Sequence, residues 1–236
     1  MKAAGGAISV LIGTVLLRLV VTGTYQRYVR TGMALWLLLA AVAVLVIGVA
    51  TLHRAMRGKP LGDSHGHAHD DDDHDHREGI GAGWLLLAPI AALLLVAPPT
   101  LGSYGLDHAA TIDVRAGGEV FDPIPPSDEP VAMTLLEFGQ RAFDHGGASF
   151  KDASVQLTGF VAGAVEGGFR LARYQIACCA ADAAPVVVLV AGTEGDAPAR
   201  DQWVSVTGTF ARTDGDLPEL TATSVIDIAA PEDPYE

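Results

Sequence analysis

An uncharged stretch of twenty residues, 33–52, constrains the fold of this chain more than any other feature of its sequence. It reads MALWLLLAAVAVLVIGVATL. An α-helix rises 1.5 Å per residue, so twenty residues reach across roughly 30 Å, the thickness of the hydrocarbon core of a bilayer. The stretch therefore predicts a membrane-spanning helix over residues 33–52.

Two further apolar stretches flank this helix, and both are predicted to span. Residues 3–22 carry a single internal charge, Arg18, near the predicted end, where a long side chain reaches the headgroups. No small-residue cleavage pattern follows, which favours a retained helix over a signal peptide. Residues 82–101 contain Pro89, which implies a kink, and a buried soluble helix is the alternative there. Residues 1–101 are thus predicted to form a membrane domain of about three helices.

The charged residues divide the chain into two parts of opposite sign. Residues 1–62 contain seven Lys or Arg and no acidic residue, whereas residues 103–236 contain seven Lys or Arg and twenty-one Asp or Glu. Binding to phosphate needs clustered basic side chains, so the acidity of the second part excludes nucleic acid as its partner. The sequence predicts a membrane-embedded half and an acidic soluble half.

The short loops of the membrane half predict its orientation through their positive charges. Basic residues are more frequent on the cytoplasmic side of a membrane protein. The N-terminus and second loop carry more of them than the first loop, so they are predicted to be cytoplasmic, with the C-terminal domain extracytoplasmic. The prediction reverses if residues 82–101 do not span. The residues compared are Lys2, Arg54, Arg57, Lys59 and Arg77 against Arg27 and Arg30.

The second loop, residues 61–79, is predicted to be disordered and to bind metal. Its polar, low-complexity composition offers nothing to bury. Imidazole is a good ligand for zinc, copper, nickel and cobalt, and histidine-rich tracts are typical of metal binding. A plain hydrophilic linker, or a tract that binds metal only in vitro, are the alternatives. The candidate ligands are His65, His67, His69, His74 and His76.

The soluble half is predicted to be a small, mostly β domain at residues 131–236, joined by a linker at 102–130. The period of apolar residues predicts a leading helix over 131–145. Alternation of apolar residues then predicts four short strands, and a continuous apolar run at 185–191 predicts a fifth. Glycines inside two of them, Gly159 and Gly208, indicate bulges or bends, which favours an OB-like five-stranded barrel over a β-sandwich. The predicted strands are 154–161, 168–177, 185–191, 202–210 and 219–229.

The adjacent cysteines between the second and third of these strands are the second candidate metal site. Cys178, Cys179 and Asp182 supply two thiols and a carboxylate that suit a thiophilic metal. His145, His108 or a partner protein would have to complete the coordination. Arg173 is expected to lower a thiol pKa if it lies close. The alternative is a pair of small residues packed at a strand end. No catalytic residue is predicted.

The chain resembles a bacterial family of membrane proteins, the YcgQ-type permease subunits, over nearly its whole length. The most specific part is the run from Cys178 to Ala183. The other matching positions are Gly23, Tyr25, Tyr28 and Val29, the histidine-rich loop, residues 157–161, residues 173–176, Pro185, Trp203, Val204, Val206, Gly208, Pro231, Pro234 and Tyr235.

The resemblance implies an accessory subunit of a multi-span permease of the YcgR type, concerned with divalent metals such as zinc. The expected location is the bacterial cell membrane, in a multi-pass arrangement. The expected partners are the permease, the lipid bilayer and Zn²⁺ or another divalent transition metal, with no organic cofactor and no enzymatic activity. A membrane-tethered thiol oxidoreductase and a structural or assembly protein are the alternatives.

Overall fold

The computed structural model describes residues 2–57, 101–106, 111–117, 120–192, 197–212 and 215–236. The chain divides into two compact units. The first comprises Met1–Tyr25 and Gly32–Pro99, and the second comprises Gln26–Thr31 and Thr100–Glu236. The short segment between the first two helices therefore belongs to the same unit as the C-terminal domain.

The described residues of the first unit form a hairpin of two antiparallel helices, α1 (Lys2–Val21) and α2 (Ala34–Met56). Glycines allow the two backbones to approach closely. A Cβ atom on Gly48 of α2 would lie 2.8 Å from the backbone nitrogen of Val10 in α1. Small residues serve this purpose in membrane helix pairs. The helix α2 extends four residues past its predicted end, where the basic Arg54 of its last turn suits the helix dipole.

The hairpin indicates anchoring in a membrane by one or two apolar helices. Thr31–Met56 is long and apolar enough to span, and Gly5–Val21 is a shorter apolar helix. The third predicted helix, 82–101, lies almost entirely outside the described residues, and the histidine-rich loop, 61–79, lies outside them altogether.

The second unit contains a mixed sheet of six strands. All five predicted strands are present, and a short strand precedes them. The pairing order is β1-β2-β3-β4-β6-β5, with β2 also paired to β5. Neighbours are antiparallel except β1 with β2 and β4 with β6, which are parallel. The strands are β1 (Val131–Ala132), β2 (Ser154–Val165), β3 (Gly168–Gln175), β4 (Ala184–Ala191), β5 (Trp203–Ala211) and β6 (Glu219–Ile228).

The leading helix is shorter than the predicted 131–145. It occupies Leu135–Phe143, here α3, because Thr134 forms its N-cap and accepts a hydrogen bond from the Glu137 amide at 3.0 Å. The two residues at the start of the predicted range instead form β1 and pair with β2. Gly147, with φ of 80°, follows the last turn in the left-handed conformation expected of a helix end.

The two glycines predicted to bend strands play different roles. At Gly208 the register between β5 and β6 shifts, which confirms the bulge. At Gly159 the register is regular, and the irregularity of β2 lies between Val161 and Gly163 instead. A Cβ on Gly159 would lie 2.6 Å from the carbonyl oxygen of Ala172, so close approach of strand β3 explains this glycine.

The sheet and α3 enclose the main hydrophobic core. Phe138 of α3 packs against Phe150 and Phe210, with ring centroids 5.1 and 6.3 Å away. Val114 and Ile124, from the segment 102–130, are also buried there. A second, smaller cluster lies next to the loop that joins β3 to β4. It consists of Phe160, Ala162, Ala172, Tyr174, Ile176, Trp203 and Tyr235.

Candidate metal centre

Cys178, Cys179 and Asp182 meet in the loop that joins β3 to β4. We call residues Ala177–Asp182 the thiol loop. The two Sγ atoms lie 3.6 Å apart, and they and a carboxylate oxygen of Asp182 all lie within 4.8 Å of one another. Cys178 is exposed and Cys179 is half-buried, and both are free thiols. The structure thus brings together the three residues that the sequence singled out.

The carboxylate of Asp182 organises the backbone of the thiol loop. It accepts hydrogen bonds from the amides of Ala177 at 2.8 Å, Cys178 at 2.9 Å and Cys179 at 3.2 Å. A short 3-10 turn, Ala180–Asp182, carries the carboxylate back under these amides. The hydrogen bond from the Cys178 thiol, together with the amides of Ala177 and Cys178, lowers the pKa of Asp182 to about 2. The carboxylate is therefore ionised at neutral pH.

The same contact disfavours ionisation of the neighbouring thiol. The hydrogen bond to Asp182, with a second contribution from Cys179, raises the pKa of Cys178 to about 12. A thiolate there would place a second negative charge beside the carboxylate. Cys178 is therefore a neutral thiol at pH 7, and a bound cation would favour its ionised form.

The spacing of the two sulfurs fits a shared tetrahedral metal ion. Two thiolates at the usual Zn–S distance of about 2.3 Å subtend the tetrahedral angle when they lie about 3.8 Å apart. The observed separation of 3.6 Å is close to this value. Two sulfur ligands select thiophilic metals, and they leave two of the four positions for Asp182, water or ligands from another molecule.

The histidines proposed to complete the site do not join it among the described residues. His145 lies on the turn after α3, where its Nδ1 pairs with Asp144 at 2.6 Å. It does not belong to the cluster formed by the thiols and Asp182. His108 lies outside the described residues, as do all five histidines of the 61–79 loop.

The expectation that Arg173 lowers a thiol pKa is wrong. Its guanidinium group instead donates hydrogen bonds to the carbonyl oxygens of Asp233 at 2.9 Å, Tyr235 at 3.1 Å and Pro234 at 3.3 Å. Arg173 is therefore committed to holding the final residues of the chain against β3.

A backbone segment that no sequence pattern revealed also supports the thiol loop. The amide of Arg30 donates to the carbonyl oxygen of Cys178 at 3.1 Å, and the amide of Ala180 donates to that of Tyr28 at 2.7 Å. Tyr28 and Val29 were noted only as matching positions of a family pattern. Their pairing joins residues far apart in sequence and leaves no local signal.

Replacing Asp182 with Asn is expected to lower the pKa of Cys178 toward its ordinary value, because the replacement removes the negative charge that opposes the thiolate. The measurement is the pH profile of alkylation by iodoacetamide, in a Cys179→Ser background so that a single thiol reports. Asp227→Asn, a change of an exposed aspartate on β6, is the control. Identical profiles for Asp182→Asn and the control would contradict the assignment.

Comparison with known proteins finds two separate matches that together cover most of the chain. Residues 6–108 match the model of the DUF1980 N-terminal domain, and residues 141–236 match that of the DUF1980 C-terminal domain. No curated protein and no solved structure matches the chain.

Proposed function

The chain belongs to the DUF1980 family, and from that premise we propose that it is an accessory subunit of a membrane permease that handles a thiophilic divalent metal such as zinc. The single observation that carries the proposal is the pair of thiols 3.6 Å apart with a carboxylate oxygen of Asp182 within 4.8 Å of both. This arrangement favours a cation over every other class of small ligand. The YcgQ-type resemblance supplies the permease partner.

The incomplete donor set suits a site that passes metal on. A structural zinc site usually has four protein ligands, whereas this cluster has two thiols and a carboxylate whose oxygens already accept amide hydrogen bonds. The exposed position of Cys178 gives a second protein access to the metal. We propose that the permease supplies the remaining ligands. The tract His65–His76 would collect the same metal separately.

The order of the strands supports an OB-type barrel as the scaffold of this site. Pairing runs from β2 through β3, β4, β6 and β5 back to β2, and β4 and β6 are parallel. A closed five-stranded Greek-key sheet of this kind is characteristic of the OB-fold. The acidic charge of the soluble half argues against an oligonucleotide as its ligand.

The proposed location is the cell membrane, with the chain crossing three times. The positive charges of the loops favour a cytoplasmic histidine tract and an extracytoplasmic C-terminal domain. Three helices are too few to form a translocation path alone, which is the reason for an accessory role.

The raised pKa of Cys178 argues against the alternative of a thiol oxidoreductase. Catalytic thiols are activated by a lowered pKa, whereas the carboxylate of Asp182 keeps this thiol neutral. The two cysteines are also adjacent, rather than separated by two residues as in common redox motifs.

The proposal is tested by deleting the gene and measuring cellular metal content and growth in the presence of a zinc chelator. We expect growth to fail at a lower chelator concentration in the deletion strain. The wild-type gene is expected to restore growth, whereas Cys178→Ser/Cys179→Ser is expected not to, at equal amounts of protein in the membrane. Restoration of growth by the double variant would contradict the proposed metal role of the thiols.

A further inference from the structure

A cavity of about 290 Å³ opens between the loop that joins α3 to β2 and the end of strand β5. Its lining includes Phe150 and Phe210, whose rings stack with their centroids 4.8 Å apart. The loop approaches β5 so closely here that a Cβ atom on Gly147 would overlap the ring of Phe210. The cavity shares no residue with the thiol loop, so it is a separate feature of the domain.

Three charged side chains line this cavity, which we call the basic cavity. Lys151 and Asp152 belong to the loop, and Arg212 follows the last residue of β5. All three residues are exposed, so the cavity presents two cations and one carboxylate to solvent. Their charges sum to a net positive charge at neutral pH.

This pair of cations is unusual in a domain that is strongly acidic. Residues 103–236 contain seven basic residues against twenty-one acidic ones. Four of the seven bind partners within the domain, namely Arg115, Arg141, Arg173 and Arg200. Within the described part of the chain, no ion pair or hydrogen bond holds Lys151, Arg212 or Arg170. Two of these three cations therefore line the same cavity.

The backbone of the loop has an unfavourable conformation where it carries these charges. Among the described residues, four that are not glycine have a left-handed φ, and three of the four lie in this loop. They are His145 at 48°, Lys151 at 47° and Asp152 at 64°. Left-handed conformations are uncommon for residues with a Cβ atom, and they concentrate at ligand sites and other functional positions. Two of the three strained residues, Lys151 and Asp152, are those that line the cavity.

We propose that the basic cavity binds a small oxyanion, the phosphate or carboxylate group of a small molecule. The guanidinium group of Arg212 offers a fork of N–H donors that matches two oxygens of such a group, and Lys151 supplies a second positive charge. Two like charges beside one cavity repel each other, and a bound anion relieves that repulsion. The rings of Phe150 and Phe210 offer apolar contact to the rest of the molecule. The site acts independently of the thiol loop and of any metal bound there.

Asp152 gives the site a preference among oxyanions. Its carboxylate repels a fully ionised anion but accepts a hydrogen bond from an anion that carries a hydroxyl group. At neutral pH inorganic phosphate keeps a protonated oxygen, whereas a dicarboxylate such as succinate has none to donate. We therefore expect the basic cavity to bind phosphate more tightly than succinate.

Protection of Lys151 from acetylation tests the site in the full chain in detergent. The chain contains only two other lysines, Lys2 and Lys59, which serve as internal references. We would measure the acetylation rate of each lysine by mass spectrometry in sodium phosphate, in sodium succinate, and in sodium chloride of the same ionic strength. A site with a dissociation constant of about 10 mM is half occupied at about 10 mM anion, so this concentration of phosphate is expected to slow Lys151 at least about twofold relative to chloride. The rates of Lys2 and Lys59 are expected to be the same in all three salts.

Two exposed arginines provide matched variants for this test. Arg212→Gln is expected to abolish the protection of Lys151, whereas Arg170→Gln, which removes a cation outside the cavity, is expected to preserve it. In Asp152→Asn, succinate is expected to protect Lys151 at a lower concentration than in the wild type, because the carboxylate that repels it is gone. Three results would each overturn the proposal: no slowing of Lys151 by either anion beyond that in chloride, slowing that persists in Arg212→Gln, and slowing that disappears in Arg170→Gln.

Discussion

Replacing both cysteines with serine is expected to weaken zinc binding at the thiol loop on the order of 100-fold or more. Losing partners outside the first coordination shell of a metal already costs about 10- to 100-fold in affinity, and this change removes both sulfur ligands. A serine hydroxyl is a poor substitute because zinc binding requires an ionised ligand. Asp182 alone, its oxygens engaged by backbone amides, cannot hold the ion.

The histidine tract must be separated from this measurement. We would titrate the full chain in detergent, with a reductant that does not bind metal, in four forms: wild type, the five tract histidines replaced by alanine, Cys178→Ser/Cys179→Ser, and both changes together. The chain without the five tract histidines is expected to keep one zinc ion bound, and the form with both changes is expected to bind none. Equal affinity in these two forms would show that the thiols are not ligands.

Binding at the thiol loop is also expected to weaken as the pH falls. The metal competes with the thiol protons, and the raised pKa of Cys178 means that a proton must be displaced throughout the neutral range. Asp182, with a pKa of about 2, remains ionised over that range and contributes no such dependence.

Replacing Arg173 with methionine is expected to lower the free energy of unfolding of the soluble domain by about 2–4 kcal/mol. The change removes three hydrogen bonds to carbonyl oxygens of residues 233–235. It also leaves the side-chain carboxylate of Glu236 buried without the nearby cation, whose Nη1 lies 3.9 Å away. Arg170→Met is the matched control on the same strand, and its exposed position predicts a change within about 0.5 kcal/mol.

The decrease in the free energy of unfolding caused by Arg173→Met is expected to be smaller at pH 5 than at pH 8. Burial raises the pKa of Glu236, and Arg173 opposes that rise. Without Arg173, the pKa of Glu236 in the folded state rises further above its value in the unfolded state. The charged carboxylate therefore destabilises the folded state at high pH. This destabilisation disappears as the pH falls toward the unfolded-state pKa of Glu236, because the carboxyl group then becomes protonated.

The measurement is urea unfolding of the full chain in detergent, in a Trp36→Phe/Trp84→Phe background. Trp203 is then the only tryptophan whose fluorescence reports unfolding, and its ring lies 5.8 Å from the guanidinium carbon of Arg173. Equal midpoints for the Arg173→Met and Arg170→Met variants would contradict the anchoring role of Arg173.

Local patterns predicted most of the fold. The alternation of apolar residues located four of the five long strands, because each of these has one face toward the core. A continuous apolar run located β4. The apolar stretch at 33–52 located α2 for a similar reason. The helix at 131–145 was predicted too long because Thr134 begins it by capping its first turn, whereas periodicity alone does not reveal a cap.

Pairings between distant segments could not be predicted in the same way. The parallel pair β4–β6 and the bridge between Val29 and Cys179 depend on contacts between residues far apart in the chain. Arg173 was misjudged for this reason, since its partner Asp233 lies 60 residues further on. The composition of the candidate site was evident from its two thiols and carboxylate, but its support by the backbone of Tyr28–Arg30 was not.

The most direct test of a metal centre at the thiol loop is X-ray absorption of zinc bound to the full chain with the five tract histidines replaced by alanine. The account predicts two sulfur neighbours at about 2.3 Å, with the remaining ligands nitrogen or oxygen. A coordination shell made of nitrogen and oxygen alone, at about 2.0–2.2 Å, would contradict it.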